Sequence, residues 1–149
     1  KKFGFAKGNY DRRSDDGFTL VQARITNAVR CVPPENKPVG EEINACRTFL
    51  ESELSSFKRL TAILALGTVA HNSVLRALGL AVAGYKFGHG NVHRLTPKKN
   101  LKNPIVLIDS YHCSRYNVNT GRLTAEMFER AMEKAQKICG VQDCDGAAA

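Results

Sequence analysis

The chain has 149 residues, of which 43% are hydrophobic, and its 22 Lys and Arg against 14 Asp and Glu give a formal net charge of +8. This length predicts one globular domain, residues 1–149, with room for a substantial core. The apolar runs are too short for a membrane-spanning helix, and the positive charge favours a polyanionic partner, either nucleic acid or an anionic lipid surface. We therefore expect a soluble intracellular protein.

The first half of the chain predicts one strand and one helix. Residues 1–20 hold no complete pattern, whereas residues 21–29, VQARITNAV, alternate and are β-branched, which predicts a strand ending near Asn27. Three prolines in residues 31–40 exclude regular structure there. From Glu41 onward, apolar residues recur at spacings of three and four, which predicts an amphipathic helix. These residues are Ile43, Cys46, Leu50, Leu54 and Phe57.

The second half predicts two buried strands, each followed by a helix. TAILALG, residues 61–67, predicts a buried strand, and a helix follows it through about Leu78. Residues 79–103 predict a turn and a short strand, and residues 105–109 a second buried strand. A final amphipathic helix begins near Thr124. This order of strands and helices predicts an α/β domain with a mainly parallel sheet.

Residues 110–124, SYHCSRYNVNTGRLT, form a loop of donors and cations directly after a buried strand. Such a loop on a rigid scaffold indicates a site. In parallel sheets ligands gather at the carboxyl ends of strands, so Asn27 and His112 are expected on one rim. Considered alone, Asn27 is more often a turn former and His112 a surface or capping residue.

Cysteine and histidine residues leave several alternatives open. The five cysteines are widely spaced, which favours free thiols or metal ligation over a disulfide framework. Cys139 and Cys144 are stray thiols or substitute metal ligands. A structural role beside the core is predicted for His71, and His89 and His93 are predicted loop residues without a metal partner at helical spacing.

Four segments together resemble the uracil-DNA glycosylase superfamily, and most closely its type b, or family 5, iron-sulfur branch. They are ITNAVRCVPPENKP, EEINACRTFL, AILALGTVAH and SYHCSRYNVNTGRLTAEMF, and the resemblance runs from about Phe3 to Ile138. It implies a three-layer α/β/α fold and a DNA repair enzyme. That enzyme hydrolyses the N-glycosidic bond of uracil to begin base-excision repair, and other deaminated bases are further candidate substrates.

The resemblance also implies roles for individual residues. Asn27 would read the Watson–Crick edge of uracil, because a carboxamide offers a donor for O4 and an acceptor for N3–H. His112 would donate a hydrogen bond to uracil O2 as the glycosidic bond breaks. The remaining residues would hold phosphates or fill the gap left by the extruded base. They are Ser114, Arg115, Asn117, Asn119, Arg122 and Leu123.

The family carries a four-iron four-sulfur cluster on four cysteines, and Cys31 and Cys46 match two of them. Both could equally be ordinary buried cysteines. The family's opening segment has no counterpart before Lys1. In the family this segment carries a strand, the water-positioning motif, an aromatic that stacks on uracil and the first two cysteines. A second departure is Cys113, which stands where the family usually has proline, so the loop loses a φ constraint.

The expected partner is uracil-containing DNA, double- or single-stranded, bound by a monomer in the cytoplasm at the nucleoid. The alternative is a non-catalytic or inactive DNA-binding relative that keeps the basic rim. A partial product without stable structure is a third possibility, and it would show no cooperative unfolding.

Overall fold

The computed structural model of the protein describes residues 1–30 and 39–141. No helix within these two ranges is long and apolar enough to cross a membrane. The chain begins with a small antiparallel pair, β1 (Ala6–Lys7) and β2 (Thr19–Leu20), in a region for which the sequence predicted no complete element. The elements that follow are α1 (Gly40–Ser56), β3 (Ala62–Leu66), α2 (Thr68–Ala77), a 3-10 turn (Val82–Gly84), β4 (Val92–Leu95), β5 (Ile105–Ser110), α3 (Arg115–Asn119) and α4 (Ala125–Cys139).

The central sheet has the strand order β3–β5–β4 among the residues described. β3 and β5 are parallel, in a register that pairs Ala62 with Val106 and Leu66 with Ser110. β4 pairs antiparallel with the other edge of β5. The two buried strands predicted from the sequence are therefore confirmed as a parallel pair, and the short strand after residue 79 adds an antiparallel edge.

Helices cover both faces of this sheet, because side chains alternate between its faces along each strand. One buried cluster joins alternate residues of the strands to α1 and α2; it includes Leu50, Leu54, Ala65, Leu75, Leu78, Ile105 and Leu107. A second cluster joins the intervening strand residues to α4; it includes Leu64, Val106, Ile108, Ala131 and Ala135. The predicted three-layer α/β/α architecture is confirmed.

The boundaries of the last helix follow from its capping residues. The Thr124 side chain accepts a hydrogen bond from the Met127 N–H at 3.2 Å, which satisfies one of the free donors at the start of α4. Gly140 ends the helix with a φ of 63°, a left-handed conformation that glycine adopts without strain. The helix predicted to begin near Thr124 is thus confirmed.

Residues 21–29 do not form the predicted strand. The segment is irregular, and residues 22–27 are exposed. A strand is stabilised by pairing with a neighbour, and in the described sheet β3 pairs only with β5. An alternating, β-branched pattern without a neighbouring strand to pair with was therefore insufficient to form a strand, and Asn27 does not follow one.

Candidate active site

His112 lies just beyond the carboxyl end of the parallel strand pair. Leu66 of β3 pairs with Ser110 of β5, and the next residue, Gly67, donates its N–H to the Ser110 carbonyl at 2.8 Å. Gly67 has a φ of +95°, and a Cβ there would lie 3.4 Å from the His112 Cβ. The His112 side chain is exposed. It therefore stands at the rim where ligands of parallel sheets bind, against the turn that follows β3.

Part of the loop after His112 is helical, which sequence patterning missed. The Ser114 hydroxyl accepts a hydrogen bond from the Asn117 N–H at 3.3 Å and so caps α3. The Asn117 carboxamide donates from Nδ2 to the His112 carbonyl at 2.8 Å. Both side chains thereby fix the shape of the loop around His112. Ser as an N-cap was the available sequence signal for this short helix.

The outer surface of the loop presents cations and an aromatic ring. Arg115, Asn119 and Arg122 are exposed. The Arg122 guanidinium lies 4.9 Å from the centre of the Tyr111 ring, a cation–π contact that holds it beside the site. Tyr116 is 71% exposed, an unusual state for so large a side chain. Exposed cations around a projecting ring suit a phosphate backbone and a stacked base.

Leu123 departs from the other predicted contact residues, because only 2% of its surface is exposed. Its N–H donates to the Asn117 carbonyl at 3.0 Å, which closes the loop behind α3. A side chain buried in this way has no surface to present to DNA. In this structure Leu123 packs beneath the loop, and its contact with DNA stays a prediction.

Glu53 of α1 anchors the irregular segment that contains Asn27. The Thr26 hydroxyl donates to Glu53 Oε2 at 2.6 Å. Arg24 Nε lies 2.5 Å from Oε1, and Arg30 Nη2 lies 3.2 Å from Oε2. One carboxylate thus contacts residues on both sides of Asn27, including its immediate neighbour. These polar contacts hold the segment where sheet pairing does not.

The same contacts favour the ionised form of Glu53, whose side chain is only 5% exposed. The Thr26 hydroxyl, followed by the positive charges of Arg24 and Arg30, holds the pKa of this carboxyl below its ordinary value, against the opposing effect of burial. Sequence periodicity placed apolar residues on the buried face of α1 and did not identify Glu53. Its partners Arg24 and Arg30 belong to another segment of the chain, so the local pattern of α1 carried no signal for a buried carboxylate.

The two residues predicted to contact uracil are both exposed. Neither the Asn27 carboxamide nor the His112 ring makes a hydrogen bond with any residue in the two described ranges. No hydrogen bond in these ranges joins the Asn27 segment to the loop at 110–124. The structure therefore brings His112, Ser114 and Asn117 together, whereas Asn27 lies in a segment that Glu53 holds through Arg24, Thr26 and Arg30.

The cysteines do not assemble a complete metal site within the part of the chain that is described. Cys46 is buried, and its sulfur accepts the Arg30 N–H at 3.4 Å. Cys113 is exposed and Cys139 is half-buried, whereas Cys31 and Cys144 lie outside the described residues. The one group of three potential ligands found in the described ranges contains no cysteine. These residues do not fit a four-iron four-sulfur cluster, which requires four thiolates.

That one group is a polar cluster of the buried residues His71 and Asp109 with the partly buried His93. Asp109, at the end of β5, has Oδ1 2.7 Å from His71 Nδ1 of α2 and Oδ2 3.0 Å from His93 Nε2 of β4. The sequence predicted a structural role for His71 and a loop position for His93, which lies in β4, and no connection between them. An aspartate within the apolar run IVLID was the available signal, since a buried carboxylate requires partners.

Residues 3–136 match the family described as the Uracil DNA glycosylase superfamily. The chain belongs to this superfamily. The chain is similar to proteins named "Type-5 uracil-DNA glycosylase" in several organisms. The Thermus thermophilus protein is 37% identical over 126 residues, which cover 85% of this chain and 55% of that protein. The Pyrobaculum aerophilum protein is 36% identical over 137 residues, which cover 92% of this chain and 56% of that protein. A Mycobacterium leprae protein of the same name is 38% identical over 130 residues, which cover 85% of this chain and 53% of that protein.

These comparisons confirm the family resemblance that the motifs indicated. The matched region includes β3, β5, the loop after His112 and most of α4. The chain spans about half the length of the curated relatives it matches. The activity and partners of a whole glycosylase are therefore proposals for this chain, and they depend on the geometry of its own residues.

Proposed function

We propose that this chain acts in DNA repair as a glycosylase that hydrolyses the N-glycosidic bond between uracil and deoxyribose. The observation that carries the proposal is the position of His112 at the carboxyl end of the parallel strands in a member of this superfamily. Its ring is exposed and makes no hydrogen bond with the residues that the structure describes. Other deaminated bases are further candidate substrates. The substrate would be double- or single-stranded uracil-containing DNA, bound by a monomer at the nucleoid.

His112 would stabilise the departing base. When the bond between C1′ and N1 breaks, its electron pair moves into uracil, so negative charge develops on O2 while the sugar becomes cation-like. A ring N–H of His112 would donate to that oxygen. Water would then add to C1′, and the proton that it loses would balance the protonation of the uracil anion. One preorganised donor of this kind is worth about 3–4 kcal/mol of barrier.

Asn27 would select the base. Its carboxamide can donate to uracil O4 and accept from N3–H, whereas cytosine presents the opposite pattern at these positions. The support for this role is that the side chain is exposed and free of other hydrogen bonds in the described chain, while Glu53 holds its neighbour Thr26. A fixed backbone with an uncommitted side chain suits base recognition.

Arg115, Asn119 and Arg122 would contact phosphates, and Tyr116 would occupy the gap left by the flipped nucleotide. Their exposure on one loop supports these roles. Extruding a base requires a few kcal/mol of unstacking, which an inserted ring offsets in part. Ser114 and Asn117 would act indirectly, by shaping the loop.

We assign no reaction step to an iron-sulfur cluster, because the described residues do not fit one. Cys46 supplies one buried sulfur beside the Arg30 N–H, and ligation by Cys31 together with Cys46 remains a proposal from the family resemblance. Iron and sulfide analysis of protein purified without oxygen tests it. Bound iron that is lost in Cys46→Ser would support ligation, and iron-free wild-type protein would exclude it.

Single-turnover release of uracil from a defined duplex tests the catalytic proposal. We predict that His112→Ala slows release roughly 10²–10³-fold, the effect of losing one preorganised donor. Asn27→Ala should also slow release, whereas Asn103→Ala, a change at another exposed asparagine, should leave it unchanged. Normal rates in both Asn27→Ala and His112→Ala would contradict the assignment.

A non-catalytic DNA-binding role is the second candidate. It is favoured by one observation, the irregular segment at 21–29, which leaves Asn27 without a strand to fix it relative to His112. Tight binding of uracil-containing DNA by the wild-type chain without release of free uracil would establish this candidate in place of catalysis.

A further inference from the structure

We propose that Asp109 and His89 are positioning residues for His112, acting through a hydrogen-bond relay that runs from α2 across the sheet to the backbone of Tyr111. This inference rests on the proposed function, since it concerns the placement of the same histidine. The relay contains residues for which the sequence predicted no joint role. Its links are hydrogen bonds present in the structure, and between Asp109 and His89 they run through the residues that flank His89.

The first link is the fully buried carboxylate of Asp109, which has partners on both oxygens. Oδ1 faces His71 Nδ1 at 2.7 Å. Oδ2 lies 3.0 Å from His93 Nε2 and accepts from the Gly88 N–H at 3.2 Å. His71 and Asp109 are both 0% exposed. The carboxylate therefore ties α2, β4 and the turn before β4 to the end of β5.

The hydrogen-bond partners of His71 determine the net charge of the buried pair that it forms with Asp109. The second His71 nitrogen, Nε2, lies 2.9 Å from the Tyr85 carbonyl, which can only accept, so Nε2 carries a proton. A further proton must lie between His71 Nδ1 and Asp109 Oδ1, on either atom. In both arrangements the pair has zero net charge, which avoids the large penalty of an isolated buried charge.

The second link runs from Asp109 to His89 through the turn at residues 86–91. The Asp109 carbonyl accepts the Gly90 N–H at 2.8 Å, and the Asp109 N–H donates to the Asn91 carbonyl at 2.9 Å. With the Gly88 bond to the side chain, one residue of β5 holds the turn on both sides of His89. The turn has little freedom to move without breaking these bonds.

The third link joins His89 to the backbone next to His112. The Tyr111 N–H donates to His89 Nδ1 at 3.1 Å, so this nitrogen is the unprotonated acceptor of the ring. The two rings are also stacked, with centroids 5.1 Å apart. Tyr111 immediately precedes His112, and its amide direction sets where the chain leaves the sheet. Displacements near 1 Å at a catalytic group can lower rates about 10²-fold.

A metal ion at the His71, His93 and Asp109 cluster is the competing interpretation, since these are common zinc or iron ligands and their ligand atoms lie within 4.8 Å of one another. The direct 2.7 Å contact between His71 Nδ1 and Asp109 Oδ1 leaves no space for an ion between them. The cluster in this structure is therefore a hydrogen-bonded relay.

Two matched pairs of variants test the relay. In Asp109→Asn, the amide can donate to a neutral His71 while its oxygen accepts from Gly88 and His93, so every link survives; Asp109→Ala removes all three. In His89→Asn, the side-chain oxygen replaces the Nδ1 acceptor, whereas His89→Phe keeps a stacked ring and loses the acceptor. The readouts are hydrogen exchange of the Tyr111 amide, DNA affinity, and single-turnover uracil release.

We expect both asparagine variants to keep slow Tyr111 exchange and release within about threefold of wild type. His89→Phe and Asp109→Ala should exchange the Tyr111 amide faster and release uracil roughly tenfold or more slowly, with DNA affinity nearly unchanged in His89→Phe. Normal exchange in His89→Phe would overturn the proposal. Asp109→Asn as slow as Asp109→Ala would also overturn it, because the carboxylate charge or a bound metal would then be required.

His112→Ala, measured in parallel, separates this proposal from the proposed function. If His112→Ala is slow while His89→Phe is normal in both exchange and release, the relay alone fails. If His112→Ala is as fast as wild type, or wild type releases no uracil, the proposed function fails. Tyr111 exchange in the His89 pair then decides by itself whether the relay holds this backbone.

Discussion

Glu53 provides a quantitative test of how the segment around Asn27 is held. Replacing Glu53 with Gln removes the negative charge that Thr26, Arg24 and Arg30 contact. A hydrogen bond to a charged group contributes about 1.5–3 kcal/mol. The arginine pairs add less, because these side chains are 60% and 47% exposed and each such pair is worth about 1 kcal/mol at most. Because Gln keeps one hydrogen-bond acceptor, we predict that Glu53→Gln lowers the free energy of unfolding by about 2 kcal/mol at pH 7.

The assay is urea unfolding followed by tyrosine fluorescence, with Glu51→Gln as the control. Glu51 lies on the same helix and pairs with Lys99 at the surface, so Glu51→Gln should change the free energy of unfolding by no more than about 0.5 kcal/mol. The pKa of Glu53 is lowered in the folded state, so its contribution is fully present above the unfolded pKa of about 4.3 and is lost as pH falls through the folded pKa. Equal stability of the two variants at pH 7, or a difference that persists at low pH, would refute this reasoning.

Three further substitutions probe the loop and its support. Gly67→Ala should lower the free energy of unfolding by about 1–3 kcal/mol in a thermal unfolding assay, because a backbone φ of +95° is strained for any residue with a side chain. The new Cβ would lie at an ordinary contact distance of 3.4 Å from the His112 Cβ, so backbone strain is the expected cause. Unchanged stability would contradict this expectation. Leu123→Ala should lose about 2–5 kcal/mol in urea unfolding through a buried cavity, and full stability with weakened DNA binding would instead indicate a DNA contact. Arg115→Ala should reduce the slope of log affinity against log salt by about 1, as expected for one lost phosphate contact, whereas Arg94→Ala on β4 should leave it unchanged.

Sequence periodicity predicted the elements whose stability comes from local pattern and burial. The apolar runs at β3 and β5 and the three-and-four spacing in α1 and α4 each lead directly to buried faces. His112 was placed at the rim because it directly follows one of these runs. The family motifs then indicated the chemistry of that position, and the family itself is confirmed.

Features that depend on distant partners could not be predicted in this way. Residues 21–29 have a strand-like pattern, but strand formation requires a neighbouring strand that no local pattern specifies. Asp109 pairs with His71 and His93, which are 38 and 16 residues away along the chain. Glu53 is buried because arginines and a threonine from another segment satisfy it. The contacts of Asp109 and Glu53 are polar contacts that only the tertiary structure creates.

The central claim is that His112 accelerates cleavage of the uracil glycosidic bond, and the most direct measurement is free uracil produced by wild-type and His112→Ala chains. Each would be incubated with a duplex containing one uracil, at protein concentrations that saturate the DNA, with a thymine duplex as the control. We predict release by wild type from the uracil duplex alone, and release roughly 10²–10³-fold slower from His112→Ala. Saturated binding without release by wild type, or equal rates for both proteins, would contradict the claim.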